Sequence, residues 1–293
     1  MKNKRTLIIY QMYKETETTD FFLDNGVTHN KNVDYIFVVN VPDFVKDPIG
    51  FKPSEKFNNT IESVSAKVFY RDNTGGDFGG YSCVVDRLLK TGLIDSYDFF
   101  IFLNQTVLGP VLPSWSKNLF HWSDALVNLI NEKDRLAGLS INCFYSRNWH
   151  LNTLKLPLYS LSKDGNWIFA PHVQTMLFAT DRLGLNLAID GGIFDYENII
   201  EDKESIIMNK EVNLSEIMLL NNYNIASLLE NAHGIDFRQG NFDEAWTDVW
   251  WDSPPEWNAK NDVHPCKMLF IKANRGTEKQ KAFVSGFIEN NEL

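Results

Sequence analysis

Between Lys67 and Pro113 the chain reads as a short apolar strand (Val68–Tyr70), a polar turn dense in glycine, an amphipathic helix, and a fully apolar strand (Phe99–Leu103) that runs into Asn104-Gln105-Thr106. Short parallel strands separated by helices imply a three-layer α/β domain, with ligand loops gathered at the carboxyl ends of the strands. Gly75, Gly76, Gly79 and Gly80, together with Asp72, Asn73 and Asp77, crowd the passage from the first strand into the helix. Backbone freedom and oxygen ligands at that density suit a loop closing on a phosphorylated ligand at a helix N-terminus.

The same rhythm extends to both sides of this segment. Thr6–Tyr10 and Val33–Val39 are apolar strands, and Thr18–Leu23 is a short helix between them. A helix around Ser123–Ile130 and a strand at Leu136–Ile141 follow. The stretch from Asn142 to Trp167 loses the pattern and is rich in aromatics and Asn. His172–Ala179 resumes as one strand and leads to a helix start at Thr180-Asp181-Arg182. Helical stretches are expected near Tyr196–Met208 and Leu214–Asn221, then strands at Asn224–Leu229 and Met268–Lys272. No G-x-G-x-x-G follows the first strand, which disfavours a dinucleotide-binding fold.

Composition narrows the function. With 44% hydrophobic and 23% charged residues, this is an ordinary globular chain. A net charge of −10 without any basic run argues against nucleic acid as a partner. No stretch approaches the length of a membrane span, and the apolar run Leu7-Ile8-Ile9 is too short for a signal-peptide core. Cys83, Cys143 and Cys266 are odd in number and lack metal spacing, as reduced thiols of a cytoplasmic protein would be.

The order of strand, N-x-G-x-D-x-G turn, helix, apolar strand and polar triplet resembles the nucleotide-sugar half of GT-A glycosyltransferases of the broad family-2 type. RDNTGGDFGGY, YDFFIFLNQTVLGPVLP, HVQTMLFATDRLGL and LFIKANR are similar to a group of glycosyltransferase-like proteins of algae, bacteria and large DNA viruses, akin to rhamnan-synthesis proteins. The similarity runs from about residue 6 to residue 275. It implies one GT-A-like three-layer α/β/α sandwich with a mixed, mainly parallel central sheet. A nucleotide-sugar-binding half (about 1–135) would precede an acceptor-binding half (about 136–293). The implied activity is transfer of a sugar from a nucleoside-diphosphate donor, UDP-linked by preference, to a hydroxyl of a glycan or glycoprotein. The implied cofactor is a divalent metal, Mn2+ or Mg2+.

At the point where that family carries D-x-D, this chain has Asn104-Gln105-Thr106. Neutral Asn and Thr oxygens hold a hard cation less firmly than carboxylates do. Three sources of charge stay open: Asp72 or Asp77 from the adjacent loop, a later His233 or His264, or Lys272 and Arg275 acting on the diphosphate without a metal. The donor-binding set is therefore Asp72, Asp77, Asn104, Thr106, Lys272 and Arg275. Tyr10 and Asn40 join it, because they end the strands from which GT-A proteins hold base and ribose. Asn104 and Asp72 also fit plain turn or cap roles.

An inverting transfer needs a base for the acceptor hydroxyl. In the resembling family that base lies about a dozen residues before a G-Y-x-I turn. Here Asn222-Tyr223-Asn224-Ile225 resembles the turn, which points to Glu211, at the exposed first turn of a helix, over the competing Glu216. Trp149 and His172 are candidate acceptor contacts, and Trp246, Trp250, Trp251 and Trp257 could pack on sugars or simply on the core. Two rivals differ in class. One is a non-catalytic carbohydrate-binding or scaffold protein on the same fold. The other is a nucleotidyltransferase, which would need a basic glycine-rich loop where Tyr10-Gln11-Met12-Tyr13 stands.

Overall fold

The computed structural model of the chain describes residues 4–41, 51–112, 116, 119–146, 167–229, 232–239 and 269–272. In chain order the first elements are β1 (Thr6–Met12), α1 (Glu17–Asn25), β2 (Val33–Asn40), α2 (Glu55–Ser63), β3 (Lys67–Arg71), α3 (Gly76–Thr91), β4 (Phe99–Asn104) and β5 (Val107–Leu108). Then come α4 (Ser123–Val127), β6 (Asp134–Gly138), β7 (Ile141–Ser146), β8 (Trp167–Val173), β9 (Leu177–Asp181) and α5 (Arg182–Asp190). The last are α6 (Lys203–Ile206), a π-helical segment (Ile207–Val212), α7 (Asn213–Leu220), β10 (Asn224–Ser227) and β11 (Ile271–Lys272).

Among the described residues seven strands form the main sheet, in the order β10-β6-β9-β4-β1-β2-β3. β1 runs parallel to β2 and β4, β2 to β3, and β6 to β10; β9 alone in this sheet is antiparallel to its neighbours β4 and β6. The expected mixed, mainly parallel sheet between helical layers is the fold, and strands from both halves of the chain build it. β5 pairs with β11 and β7 with β8 in two small antiparallel ribbons.

Position in the sheet explains the sequence of each strand. Every residue of β1 and β4 is buried, because helices cover both faces of central strands; edge strand β3 buries fully only Arg71. Aromatic contacts mark the two layers. Tyr10 stacks on Phe22 of α1 at 4.5 Å, and Phe37 meets Phe57 of α2 on that face. On the other face Tyr81 of α3 packs against Phe102, which also stacks on Phe178 (4.7 Å) and Phe194 (5.2 Å). Such ring pairs add about 0.5–1.5 kcal/mol each beyond their buried area.

Three expectations from the sequence are corrected. His172–Ala179 is not one strand: the chain turns at Gln174-Thr175-Met176, leaving ribbon strand β8 and entering the main sheet as β9. Polar side chains cause the break, since Gln174 and Thr175 bond to Ser140 and Glu211 rather than continue a ladder. Leu136–Ile141 likewise splits at Gly138, where a Cβ would come 2.3 Å from Val173 Cγ1. Finally, residues 196–202 are not helical; α6, the π-helical segment and α7 follow one another without interruption from Lys203 to Leu220.

Candidate active site

Glycine dictates how α3 begins. Gly75 and Gly76 have φ of +74° and +54°, the left-handed region that glycine enters without steric penalty. Gly79 and Gly80 have another purpose than the close approach of a ligand that the sequence suggests. A Cβ on Gly79 would lie 2.1 Å from Thr74 O and 3.0 Å from the Arg71 guanidinium, and one on Gly80 would lie 3.0 Å from Gln11 Cγ. These two glycines let the helix settle onto a polar row at the carboxyl ends of the strands: Arg71, Asn40, Gln11 and Asn104, all at most 5% exposed.

That row holds the loop in shape. Asn40 donates from Nδ2 to Gly76 O (2.9 Å) and Asn73 Oδ1 (3.1 Å), and its Oδ1 accepts from Arg71 Nη1 at 3.2 Å. Arg71 also donates to Thr74 O at 2.7 Å and to Asp72 Oδ1 at 3.2 Å. Asp72 closes an Asx turn by accepting from Thr74 N at 2.9 Å, and these bonds hold its carboxyl below the ordinary value although burial opposes them. Asn40 and Asp72 thus have their polar groups engaged with the loop itself. Tyr10 points to the opposite face, 1% exposed among Phe22 and Phe37.

Asp77 and Asn104 are brought together. Asn104 Nδ2 donates to Asp77 Oδ2 at 2.6 Å, while Asn104 Oδ1 accepts from Thr106 N (3.0 Å) and Thr106 Oγ1 (2.5 Å). A backbone N–H can only donate, so the amide is oriented with its nitrogen toward Asp77. Gln105 fastens the loop after β1: its Oε1 accepts from Tyr13 N at 2.7 Å and its O from Thr18 Oγ1 at 2.7 Å. Burial raises the Asp77 carboxyl to about 6; the Asn104 bond and the charge of Lys272 oppose this, and the charge of Glu211 adds to it. Tyr13 is raised to about 12, by burial and then by Asp77. Asp77 lies in the first turn of α3, whose N-terminus has no side-chain cap, so the positive end of the helix dipole is beside this carboxylate.

Glu211 approaches from the second half of the chain. It lies inside the π-helical segment and is partly buried, not at an exposed helix start as the sequence suggests. Its Oε2 accepts from Thr175 N at 3.2 Å and from Thr175 Oγ1. His172 is 1% exposed and senses the Glu211 charge; burial lowers its value, while Glu211 and the Ala170 carbonyl act in the opposite direction. Nδ1 lies 2.7 Å from Ala170 O, an acceptor, so Nδ1 carries the proton of the neutral ring. Lys272 enters from β11, paired with Val107 just beyond the triplet. Glu216 is buried at 2% on the same helix.

His233 is not brought to this place. It is exposed and lines a cavity of about 220 Å³ with Asn131, Lys133 and Asp134, at the amino end of β6 and so at the opposite end of the sheet. Trp149, His264, Arg275, Trp246, Trp250, Trp251 and Trp257 lie outside the described residues. Thr175 and Gln11 escaped the sequence reading. Gln11 had a visible signal, a lone amide in an apolar strand, whereas Thr175 had none because it sat within an expected strand.

The triplet does not fit a divalent metal of the D-x-D kind. Asn104 presents its nitrogen, not its oxygen, to Asp77, and its oxygen is taken up by Thr106, whose hydroxyl is in turn a donor. Among the described residues no three His, Cys, Asp or Glu side chains gather as a metal site. The arrangement is instead a carboxylate on an amide, a lysine, a helix N-terminus and a second carboxylate, able to accept a proton on one side and stabilise an anion on the other.

No protein-family model matches the chain, and no curated protein matches it. Solved structures do match. A mannosyltransferase from Pyrobaculum calidifontis, in complex with GDP-Man and Mn2+, aligns with 76% of this chain at 13% identity and a TM-score of 0.41. The alignment spans 54% of that enzyme, about half its length. A 4-diphosphocytidyl-2C-methyl-D-erythritol synthase aligns over 76% of this chain and 89% of its own, at 14% identity and a TM-score of 0.39. A glycosyltransferase involved in glycosylation of the major capsid of PBCV-1 aligns over 66% of each chain, at 10% identity and a TM-score of 0.28.

Proposed function

We propose that the chain is a glycosyltransferase that takes a sugar from a nucleoside-diphosphate donor, UDP-linked by preference, and passes it with inversion to a hydroxyl of a glycan or glycoprotein acceptor. The observation that carries this reading is the meeting, at the carboxyl ends of β1 and β4, of Asp77 on Asn104, Lys272, an uncapped α3 N-terminus and Glu211. In this reading the residues up to about 135 bind the nucleotide sugar and those from about 136 the acceptor. Glu211 accepts the proton of the acceptor hydroxyl as that hydroxyl's oxygen bonds to the anomeric carbon. The bond from that carbon to the diphosphate breaks, and its electron pair leaves with the diphosphate. Lys272, Arg275 and the first-turn N–H groups of α3 stabilise the departing charge, as fixed cations and dipoles do where charge develops. Thr106 and Asp77 line the donor side, and Trp149 the acceptor. Cys83 and Cys143 are free and buried, as thiols of a reducing cytoplasm are. Among the described residues no helix is long and apolar enough to cross a membrane.

Isothermal titration with UDP-glucose, UDP-galactose, UDP-N-acetylglucosamine and GDP-mannose tests the class. At least one donor is expected to bind, and Glu211→Gln is expected to keep that affinity while losing about 10²–10⁴-fold in turnover, the usual contribution of a general base. Binding of none of the four sinks the reading. Undiminished turnover by Glu211→Gln removes the base assignment alone.

A further inference from the structure

We infer that Thr175, at the turn between β8 and β9, is the positioning residue that aims the Glu211 carboxylate; this rests on the reading of Glu211 as the base. Thr175 gives both its donors to one oxygen, the N–H at 3.2 Å and the hydroxyl more closely, so Oε2 is fully engaged. Oε1 is left for the proton of an attacking hydroxyl. A glutamate on a helix has three side-chain torsions to order, and two convergent donors from another element hold it in one geometry. The β-branched Thr suits this, because its methyl restricts the rotamer from which the hydroxyl donates.

The turn that carries Thr175 is itself held from three sides. Gln174 N donates to Ser140 O at 3.1 Å and Ser140 Oγ to Gln174 Oε1 at 2.6 Å. Val173 N donates to Ser215 Oγ at 2.9 Å, four residues beyond Glu211 on the same helix. Asn104 N donates to Met176 O at 3.1 Å. Three bonds, two to Glu211 and one to Ser215, therefore stitch helix positions i and i+4 to the turn and the end of β8, and the π-helical segment at Ile207–Val212 widens the helix where Glu211 leaves it. The Asn104 bond links the same turn to the residue that holds Asp77. Through Met176 and Thr175, the turn sets the spacing between the donor-side carboxylate and the acceptor-side one.

The test is a double-mutant cycle on the full chain, reading release of nucleoside diphosphate from the best-binding donor of the panel with water or a mixed oligosaccharide as acceptor. Thr175→Val, nearly isosteric, is expected to lower kcat at least tenfold with donor affinity unchanged by calorimetry, and Thr175→Ser to restore most of it. In a Glu211→Gln background Thr175→Val is expected to cause no further loss, because the two act as a unit. Should Thr175→Val fail to fold, Thr175→Ala carries the same expectations. A wild-type kcat in the folded Thr175 variant, or full additivity with Glu211→Gln, overturns the positioning role. Undiminished turnover by Glu211→Gln, or donor binding without any release by the wild type, overturns the underlying reading instead.

Discussion

Replacing Asp77 by Asn separates the two forces that act on this carboxylate. Its ordinary value is 3.8, and the fold raises it to about 6, burial outweighing the Asn104 bond and the attraction of Lys272. Between these values the folded chain binds more protons than the unfolded one, so stability falls as pH rises. The contribution is complete below the ordinary value and is lost as pH passes through about 6. At about 1.4 kcal/mol per pH unit, ionisation of Asp77 destabilises the fold by roughly 2–3 kcal/mol, the lower figure allowing for solvent screening of a partly exposed residue. An amide at position 77 keeps an acceptor for Asn104 Nδ2 and never ionises. Urea unfolding at pH 4 and pH 7.5 should therefore find Asp77→Asn nearly equal to wild type in acid and more stable by about 2–3 kcal/mol at pH 7.5. A gap that does not change with pH refutes the reasoning. So does a wild type that is the more stable at pH 7.5, since the Lys272 attraction would then exceed the cost of burying the charge. A carboxylate kept where it destabilises the fold is the kind of group that functional sites contain.

Three other substitutions address the loop and the triplet. Gly79→Ala places a methyl group 2.1 Å from Thr74 O and 3.0 Å from Arg71, whereas Gly76→Ala meets nothing within 4 Å and only strains a backbone at φ +54°. Thermal unfolding should show the first to cost about 1–3 kcal/mol or more from overpacking, and the second about 1–2 kcal/mol. Asn104→Asp faces a second carboxylate toward Asp77 in place of a donor 2.6 Å away. At pH 7.5 it should lose about 1–3 kcal/mol, and it should gain a thermal shift with Mn2+ that wild type does not show. A wild type that responds to Mn2+ as strongly as the variant would overturn the account of the triplet.

Much of the frame was legible because it follows from local chemistry. Apolar runs such as Thr6–Tyr10, Val33–Val39 and Phe99–Leu103 can only be strands covered on both faces, and the parallel strands among them bring ligand loops to one edge. Asp181 signalled the cap of α5, and it accepts from Gly184 N at 2.9 Å. The break at Gln174–Met176 was not legible, because the partners that cause it, Ser140 and Glu211, lie 34 and 36 residues away. For the same reason Glu211 read as an exposed helix start rather than as part of a π-helical segment pressed against a turn. The packing roles of Gly79 and Gly80 were not legible either, since they depend on how the Arg71 and Gln11 side chains lie against the helix.

The sequence by itself determined the layered α/β architecture, the edge where chemistry can occur and the absence of D-x-D, because these depend on periodicity, turn residues and residue type within short windows. Tertiary structure alone decided what the polar residues at that edge do. Asn104 became a donor to Asp77, Asn40 became a fastener of the loop before α3, and Thr175 met Glu211. Each outcome depends on which buried hydrogen-bonding group finds which partner. That choice is made only when distant segments are packed out of water, where an unpaired polar group costs about 1–3 kcal/mol.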